Sequence, residues 1–245
     1  MSTPDSLYVA FIAIGLFLDH FTLWPSYLQR TQADPARARL WIWSAWMGML
    51  WTLVAVGMAL WLWKDRDWAS LGLIVPGGWW LVGAIGLVLA LAFMLVRSAV
   101  KLARSPRSRR TKLRSHLGKL AALIPHTRFE LGWWLALSLT AGFCEEFIFR
   151  GYFIWVFRPV LGLWGAAALQ VVAFALAHAY QGKEGIIRTG VGGSLFALVM
   201  VTFGSLWPAI ALHAILDIGS GVIGWIVVRE AQDGGDMTAR LGESA

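Results

Sequence analysis

Residues 131–157 read LGWWLALSLTAGFCEEFIFRGYFIWVF. The run is apolar over more than the ~20 residues a helix needs to cross the hydrocarbon core of a bilayer. Yet Glu145, Glu146 and Arg150 stand in its interior. Ionisable side chains are costly in hydrocarbon, and where they occur in a span they turn inward, pair and mark a site. Two later apolar runs repeat the pattern, with Phe174-Ala-Leu-Ala-His178 and with His213-Ala-Ile-Leu-Asp217. Six ionisable groups in three of the apolar spans predict a polar site built inside a membrane.

The rest of the chain agrees. Of its 245 residues 58% are hydrophobic and 14% charged, against about 25% charged in a soluble domain. Seven candidate spans recur, at Leu7–Leu23, Leu40–Trp63, Trp79–Val96, Leu131–Phe157, Leu163–Tyr180, Ile187–Thr202 and Leu206–Val228. The fourth is long enough to tilt or reach into water, and the sixth is short. Only helices or closed barrels satisfy their backbone in lipid, and these runs lack barrel-like alternation. The expected fold is all-α, a polytopic membrane helix bundle of about seven transmembrane helices. Residues 1–128 form N-terminal helices and a basic loop, 129–228 carry the motifs, and 229–245 form a polar, Gly-rich tail read as mobile.

Tryptophans cluster near the span ends (Trp24, Trp41, Trp43, Trp61, Trp63, Trp79, Trp80, Trp133, Trp134, Trp155, Trp164, Trp207 and Trp225). Indole favours the membrane interface, so these are read as interfacial anchors rather than core filler. Orientation follows from the bases. The segment 97–128 holds ten Lys and Arg and no acid. With an outside N-terminus and a cytoplasmic C-terminus, seventeen of the 21 bases fall inside, Arg150 lies within a span, and only Lys64, Arg66 and Arg158 fall outside. The net charge of +7 therefore reports topology in a cell (inner) membrane and calls for no nucleic acid. The basic segment is read as a topology determinant lying against anionic lipid, with a short amphipathic helix at Ser115–Ile124. No cleavable signal peptide is evident, because the first span lacks a basic flank and a small-residue cleavage site.

Some polar residues have bland readings. Cys144 is the single cysteine; no activating base is nearby in sequence, so it is read as a small apolar packing residue. Asp19 and His20 fall near a predicted interface, where solvation accounts for them. Gly190, Gly192, Gly193, Gly219 and Gly221 are read as helix-packing positions rather than a ligand loop.

Glu145 and Glu146 are adjacent and point about 100° apart on a helix, so they do different jobs. Glu146 and Arg150 share a face four residues apart, and as an ion pair they compensate two otherwise costly charges. Glu145 is then the freer carboxylate, suited to act as general base on water. His178 can move a proton or bind a metal, and Phe174 walls the cavity one turn earlier. His213 and Asp217 share a face, with the acid orienting the imidazole or both polarising a substrate.

From 141 to 220 the chain resembles the CPBP family (CAAX protease / bacteriocin-processing, also called Abi), which includes the type II CAAX prenyl endopeptidases. The resemblance rests on Glu-Glu-x-x-x-Arg followed by Gly151 in EEFIFRGYF, on FALAH, and on HAILD preceded by FGSLWPAIAL. It covers about a third of the chain; the first half shows no motif of the family. It implies an intramembrane endopeptidase with a four-helix catalytic core around a polar cavity, acting on a membrane-associated protein or peptide. Carried onto these positions, Glu145 and His178 activate water. His213 and Asp217 stabilise an oxyanion or position the site, and Glu146 and Arg150 support it. The prenyl endopeptidases usually have Asn where this chain has Asp217. An ionised Asp cannot donate to an oxyanion, so Asp217 is expected to be protonated, to orient His213 or to bind a cation.

Two His and a Glu suit a divalent metal such as zinc, with Glu145, His178 and His213 as ligands. No His-Glu-x-x-His helix occurs, and direct activation of water by Glu145 and His178 is the alternative. The spans as drawn put Glu145, His178 and His213 at different depths, with His178 near an inner end. Two other function classes stand beside the protease. One is a non-catalytic scaffold or bacteriocin self-immunity protein, and the other a transporter. The sequence leaves the oligomeric state and the role of a prenyl group open.

Overall fold

The structure is a computed structural model that describes residues 2–242, and the side chains of these except at 116, 118, 119 and 230–242. Among the described residues there is no strand. Helix α1 (Thr3–Leu18) passes through a π-helical turn (Asp19–Leu23) into α2 (Trp24–Ala33). Next come α3 (Pro35–Trp63), α4 (Gly78–Ala103) and α5 (Arg107–Leu117). Then α6 (Arg128–Glu145) runs through a π-helical stretch (Glu146–Phe153) into α7 (Ile154–Ala177), followed by α8 (Gly182–Phe203) and α9 (Leu206–Gly242).

Six helices are long and apolar enough to cross a membrane: Thr3–Ala33, Pro35–Trp63, Gly78–Ala103, Arg128–Ala177, Ala179–Phe203 and Leu206–Arg229. The chain is thus an integral, multi-pass membrane protein. The Arg128–Ala177 helix has 50 residues, about 75 Å at 1.5 Å per residue and more than twice the hydrocarbon core. It is broken at Gly162, whose φ of 69° and ψ of 174° are non-helical and suit a residue without Cβ. The two arms of this hairpin are the predicted fourth and fifth spans. The fourth runs on past Phe157 to the break, and the fifth ends at Ala177 rather than Tyr180. The sixth is full length, not short. The short helix expected at Ser115–Ile124 lies earlier, at Arg107–Leu117, followed by a 3-10 turn over Gly118–Ala122. The polar tail falls on 230–245, whose side chains lie outside the described residues.

Two pairings fix the depth of the motifs. Along the hairpin, Ile154 packs with Ala166 and Ala167, and the Phe149 ring lies 5.2 Å from the Phe174 ring. Gly162 therefore stands midway, sixteen residues from Glu146 and sixteen from His178, and the two come level. Between α6 and α9, the Trp134 indole N–H donates to the Asp217 carbonyl at 2.8 Å. Gly142 faces Ala214 so closely that a Cβ there would lie 2.8 Å from the Ala214 Cβ. These antiparallel contacts bring Glu145 and Glu146 to His213 and resolve the conflict of depths.

Two buried polar clamps tie the ends. At one, the Arg39 Nε and Nη2 donate to Glu130 Oε1 at 3.1 and 2.7 Å. Glu130 Oε2 accepts from the backbone N–H groups of His126 and Thr127, closing the cap of α6. At the other, Asp5 accepts from Arg66 at 2.8 and 3.0 Å, from the Tyr152 hydroxyl at 2.6 Å and from the Ser2 hydroxyl at 2.6 Å. Trp43 and Trp61 are fully buried in the core, so for these two the interfacial reading is corrected: their rings fill space between helices. Trp79, Trp80 and Trp164 are exposed, as expected of anchors. Helix α4 keeps most of its apolar side chains exposed and packs on α9 where Leu95 meets Gly219. Gly221 meets Trp134 and Gly193 meets Phe174, while Gly192 has nothing within 4 Å.

Candidate active site

Helix α6 ends at Glu145, and the backbone widens into the π-helical stretch that begins at Glu146. Such local widenings recur at functional sites because they re-aim side chains. Here they set both carboxylates around one ring. Glu146 Oε1 lies 2.8 Å from His213 Nδ1, and Glu145 Oε2 lies 3.7 Å from His213 Nε2. The same Glu146 oxygen accepts from Arg150 Nη1 at 2.9 Å, and both side chains of that pair are wholly buried. Glu146 is therefore the bridge between the first and third motifs.

Aromatic rings pack around this polar cluster. The Arg150 guanidinium carbon sits 4.1 Å from the Phe174 ring centre and 5.4 Å from that of Phe196. Phe196 stacks on His213 with centroids 4.9 Å apart, and Phe174 meets His213 edge-on at 6.2 Å. Phe174 stands between Arg150, His178 and His213. Phe196 was not legible, since a Phe in an apolar run gives no signal. Gly193 leaves the room these groups need: a Cβ would lie 3.0 Å from Phe174 and 3.1 Å from Arg150 Nη2.

His178 caps α7 at the far side of Phe174, ring centroids 4.6 Å apart. Its Nδ1 lies 2.9 Å from the Phe174 carbonyl. A carbonyl only accepts, so Nδ1 carries the hydrogen and Nε2 keeps its lone pair. Asp217 Oδ2 lies 3.6 Å from His213 Nε2, and with 38% of its side chain exposed it marks the open side of the site. The geometry thus joins Glu145, Glu146, Arg150, His213 and Asp217 by direct contacts. It places His178 beside them across the Phe174 ring.

Cys144 is buried as a packing residue. Asp19 departs from the solvated reading. It is 6% exposed, and its Oδ1 accepts the Trp46 indole N–H at 2.6 Å. The helix on which it lies turns Asp19 toward Trp46 of α3. Nothing in the local sequence separates this Asp from an interfacial one.

Glu145, His178 and His213 do not fit a metal as arranged. Among the described residues no group of three His, Cys, Asp or Glu side chains is placed to hold an ion. His213 Nδ1 is engaged by Glu146, and Nε2 faces two carboxylates. Polar capacity remains at Glu145 Oε2, Glu146 Oε2 and Arg150 Nε and Nη2, which have no hydrogen-bond partner within the protein.

Residues 127–219 match the protein family described as Type II CAAX prenyl endopeptidase Rce1-like. The match begins at the cap of α6 and ends two residues past Asp217, so it contains all three motifs. No curated protein and no solved structure matches the chain.

Proposed function

We propose, from the match of residues 127–219 to the family described as Type II CAAX prenyl endopeptidase Rce1-like, that the chain hydrolyses a peptide bond in a membrane-associated protein or peptide by direct activation of water. The CAAX type of prenylated substrate is the class the family's description supports. The observation that carries the reading is the Glu146 carboxylate, held at 2.9 Å from Arg150 and 2.8 Å from His213. It orients a histidine beside a second, less encumbered carboxylate in a buried pocket.

The residues divide the work as follows. Glu145, or the Nε2 of His178, takes a proton from water as its oxygen attacks the scissile carbonyl carbon. The carbonyl oxygen becomes an oxyanion. His213, protonated at both nitrogens, donates Nδ1–H to Glu146 and Nε2–H to the oxyanion. Asp217 balances that imidazolium from the open side and, unlike Asn, adds no donor of its own while ionised. The carbon–nitrogen bond breaks as the stored proton passes to the leaving amine. Arg150 keeps Glu146 in place. No step passes through a metal, in keeping with the donor set.

The basic segment 97–128 lies, in this reading, on the cytoplasmic side against anionic lipid, with the N-terminus outside. The test compares membranes bearing wild-type protein with membranes bearing Glu145→Ala at matched amounts. New protein termini are mapped by mass spectrometry. Termini generated only by the wild type are the expected result and name the substrate. Indistinguishable maps in substrate-rich membranes, with both proteins folded, would overturn the protease in favour of a scaffold or immunity role.

A further inference from the structure

His178 caps α7, and the chain runs on into a 3-10 turn, Ala179–Gln181. The Gln181 N–H donates to the His178 carbonyl at 3.0 Å. Gly182 leaves the turn with a φ of 80°, which suits a residue without Cβ. This turn holds the half-buried Tyr180 beside the site. Its ring centre lies 6.0 Å from that of His178, and the indoles of Trp24 and Trp46 pack on it at 4.8 and 5.4 Å. Tyr180 and Trp134 pack against one buried cluster that contains Trp43 and Trp46. Asp217, at the open side of the site, is tied to that cluster through the Trp134 indole.

A chain of hydrogen bonds fixes how the Tyr180 hydroxyl works. Arg188 Nη2 lies 2.8 Å from one end of the Gln181 amide. Arginine only donates, so that end is the oxygen, and the amide nitrogen is the end that reaches the Tyr180 hydroxyl at 3.2 Å. An amide nitrogen also only donates. The hydroxyl therefore accepts from Gln181, and its own hydrogen is left to give elsewhere. Among the described residues it is given to no protein group. The two indoles against the ring are donors and offer no acceptor, and that of Trp46 is already spent on Asp19. Gly185 makes room for the arrangement, since a Cβ there would collide with the Gln181 Cβ. A rigid ring with an aimed, unspent donor suits the main chain of a peptide, whose carbonyl groups all need donors once water is excluded. We propose that Tyr180 is a substrate-binding residue whose hydroxyl donates to a main-chain carbonyl oxygen of the bound peptide, and that Gln181 and Arg188 are positioning residues that aim it. The inference rests on the hydrolytic reading of the site and says how that site grips a peptide whatever its side chains.

The test uses the full-length protein in liposomes and an internally quenched farnesylated CAAX peptide. Tyr180→Phe keeps the ring and removes the hydroxyl. Gln181→Glu keeps the shape and the contact with Arg188, but a carboxylate accepts where the amide donated, so it draws the Tyr180 hydrogen onto itself. Each variant is expected to lower kcat/KM by about threefold to tenfold, the scale of one neutral hydrogen bond, with the thermal midpoint unchanged. The double variant falls no further than Tyr180→Phe alone, because Gln181 acts through the hydroxyl. Wild-type kcat/KM in either single variant overturns the proposal. So do losses that add in the double variant, and so does a loss that follows a fall in the thermal midpoint, which marks a purely structural hydroxyl. If the wild type leaves the peptide intact, the hydrolytic reading for that substrate fails, and the affinity for a dye-labelled copy of the peptide, read by fluorescence polarisation, decides. A Kd weakened by the same factor in Tyr180→Phe then upholds the binding role, and an unchanged Kd overturns it.

Discussion

Glu145 and Glu146 are neighbours in sequence, and their neutralisation is expected to give opposite results. Glu146→Gln removes the negative charge that Arg150 and His213 share. Arg150 is wholly buried, its Nε and Nη2 have no other acceptor in the protein, and its guanidinium lies against two phenyl rings. Removing one partner of a buried pair leaves the other charge uncompensated, at a cost of about 3–5 kcal/mol. At roughly 2–4 °C per kcal/mol for a chain of this size, the thermal midpoint falls by about 6–20 °C. Glu145→Gln has no such consequence. Its nearest charged contact is His213 at 3.7 Å, and losing that long contact costs about 1 kcal/mol or less while neutralising a buried acid offsets it. The assay is a thermal scan of detergent-purified protein followed by size exclusion, with peptide hydrolysis measured on the folded fraction. The expected outcome is a folded but inactive Glu145→Gln and a destabilised Glu146→Gln. A Glu146→Gln protein as stable as wild type would refute the assignment of Glu146 as the group that compensates Arg150.

Gly142→Leu forces α6 away from Ala214 and misaligns Glu145 with His213, so hydrolysis falls at least tenfold, whereas Gly192→Ala, with open space around it, leaves activity intact and stabilises its helix by up to about 1 kcal/mol; equal activities for the two variants in one peptide assay would show that close approach is not required. Prolonged chelation of purified protein, with metal content checked by mass spectrometry, leaves hydrolysis within about twofold of its starting rate; loss restored by added zinc would establish a metal path. Outside the spans, burial and the nearby Arg39 charge hold the His126 imidazole below its ordinary value. A group lowered by folding contributes stability above its unfolded value, near 6.5, and that stability is lost as pH falls through the folded value. Thermal midpoints therefore drop as pH falls below about 6.5, and His126→Asn flattens that slope; an identical slope in the variant would remove His126 from the account.

The crossings and three motifs were legible because length, hydropathy and intramembrane charge are local signals. Glu146 and Arg150 pair as their spacing implies, and Glu145 is the less encumbered acid. What the spacing could not show is that a π-helical widening lets adjacent glutamates serve opposite edges of one imidazole. A reading at 3.6 residues per turn sends them apart. The same cause hid Asp19, whose inward aim comes from a π-turn and from Trp46 on another helix. The orienting acid of His213 was also a long-range matter. Asp217 shares its helix face, but Glu146 holds the nearer nitrogen. Trp43 and Trp61 looked interfacial because position along a span says nothing about which face is packed. The clamp of Asp5 by Arg66 and Tyr152 joins residues far apart in the chain, so no local pattern announces it.

The hairpin turn at Gly162 has a consequence for how relatives of this chain can differ in length. Because the turn stands midway between Glu146 and His178, a residue inserted in only one arm drags the histidine about 1.5 Å along its axis and turns it by about 100°. Residues added equally to both arms only lift the turn. Insertions and deletions between the first two motifs should therefore arise as matched pairs flanking the glycine, so that the hairpin can grow to suit a thicker bilayer while the chemistry below it stays in register.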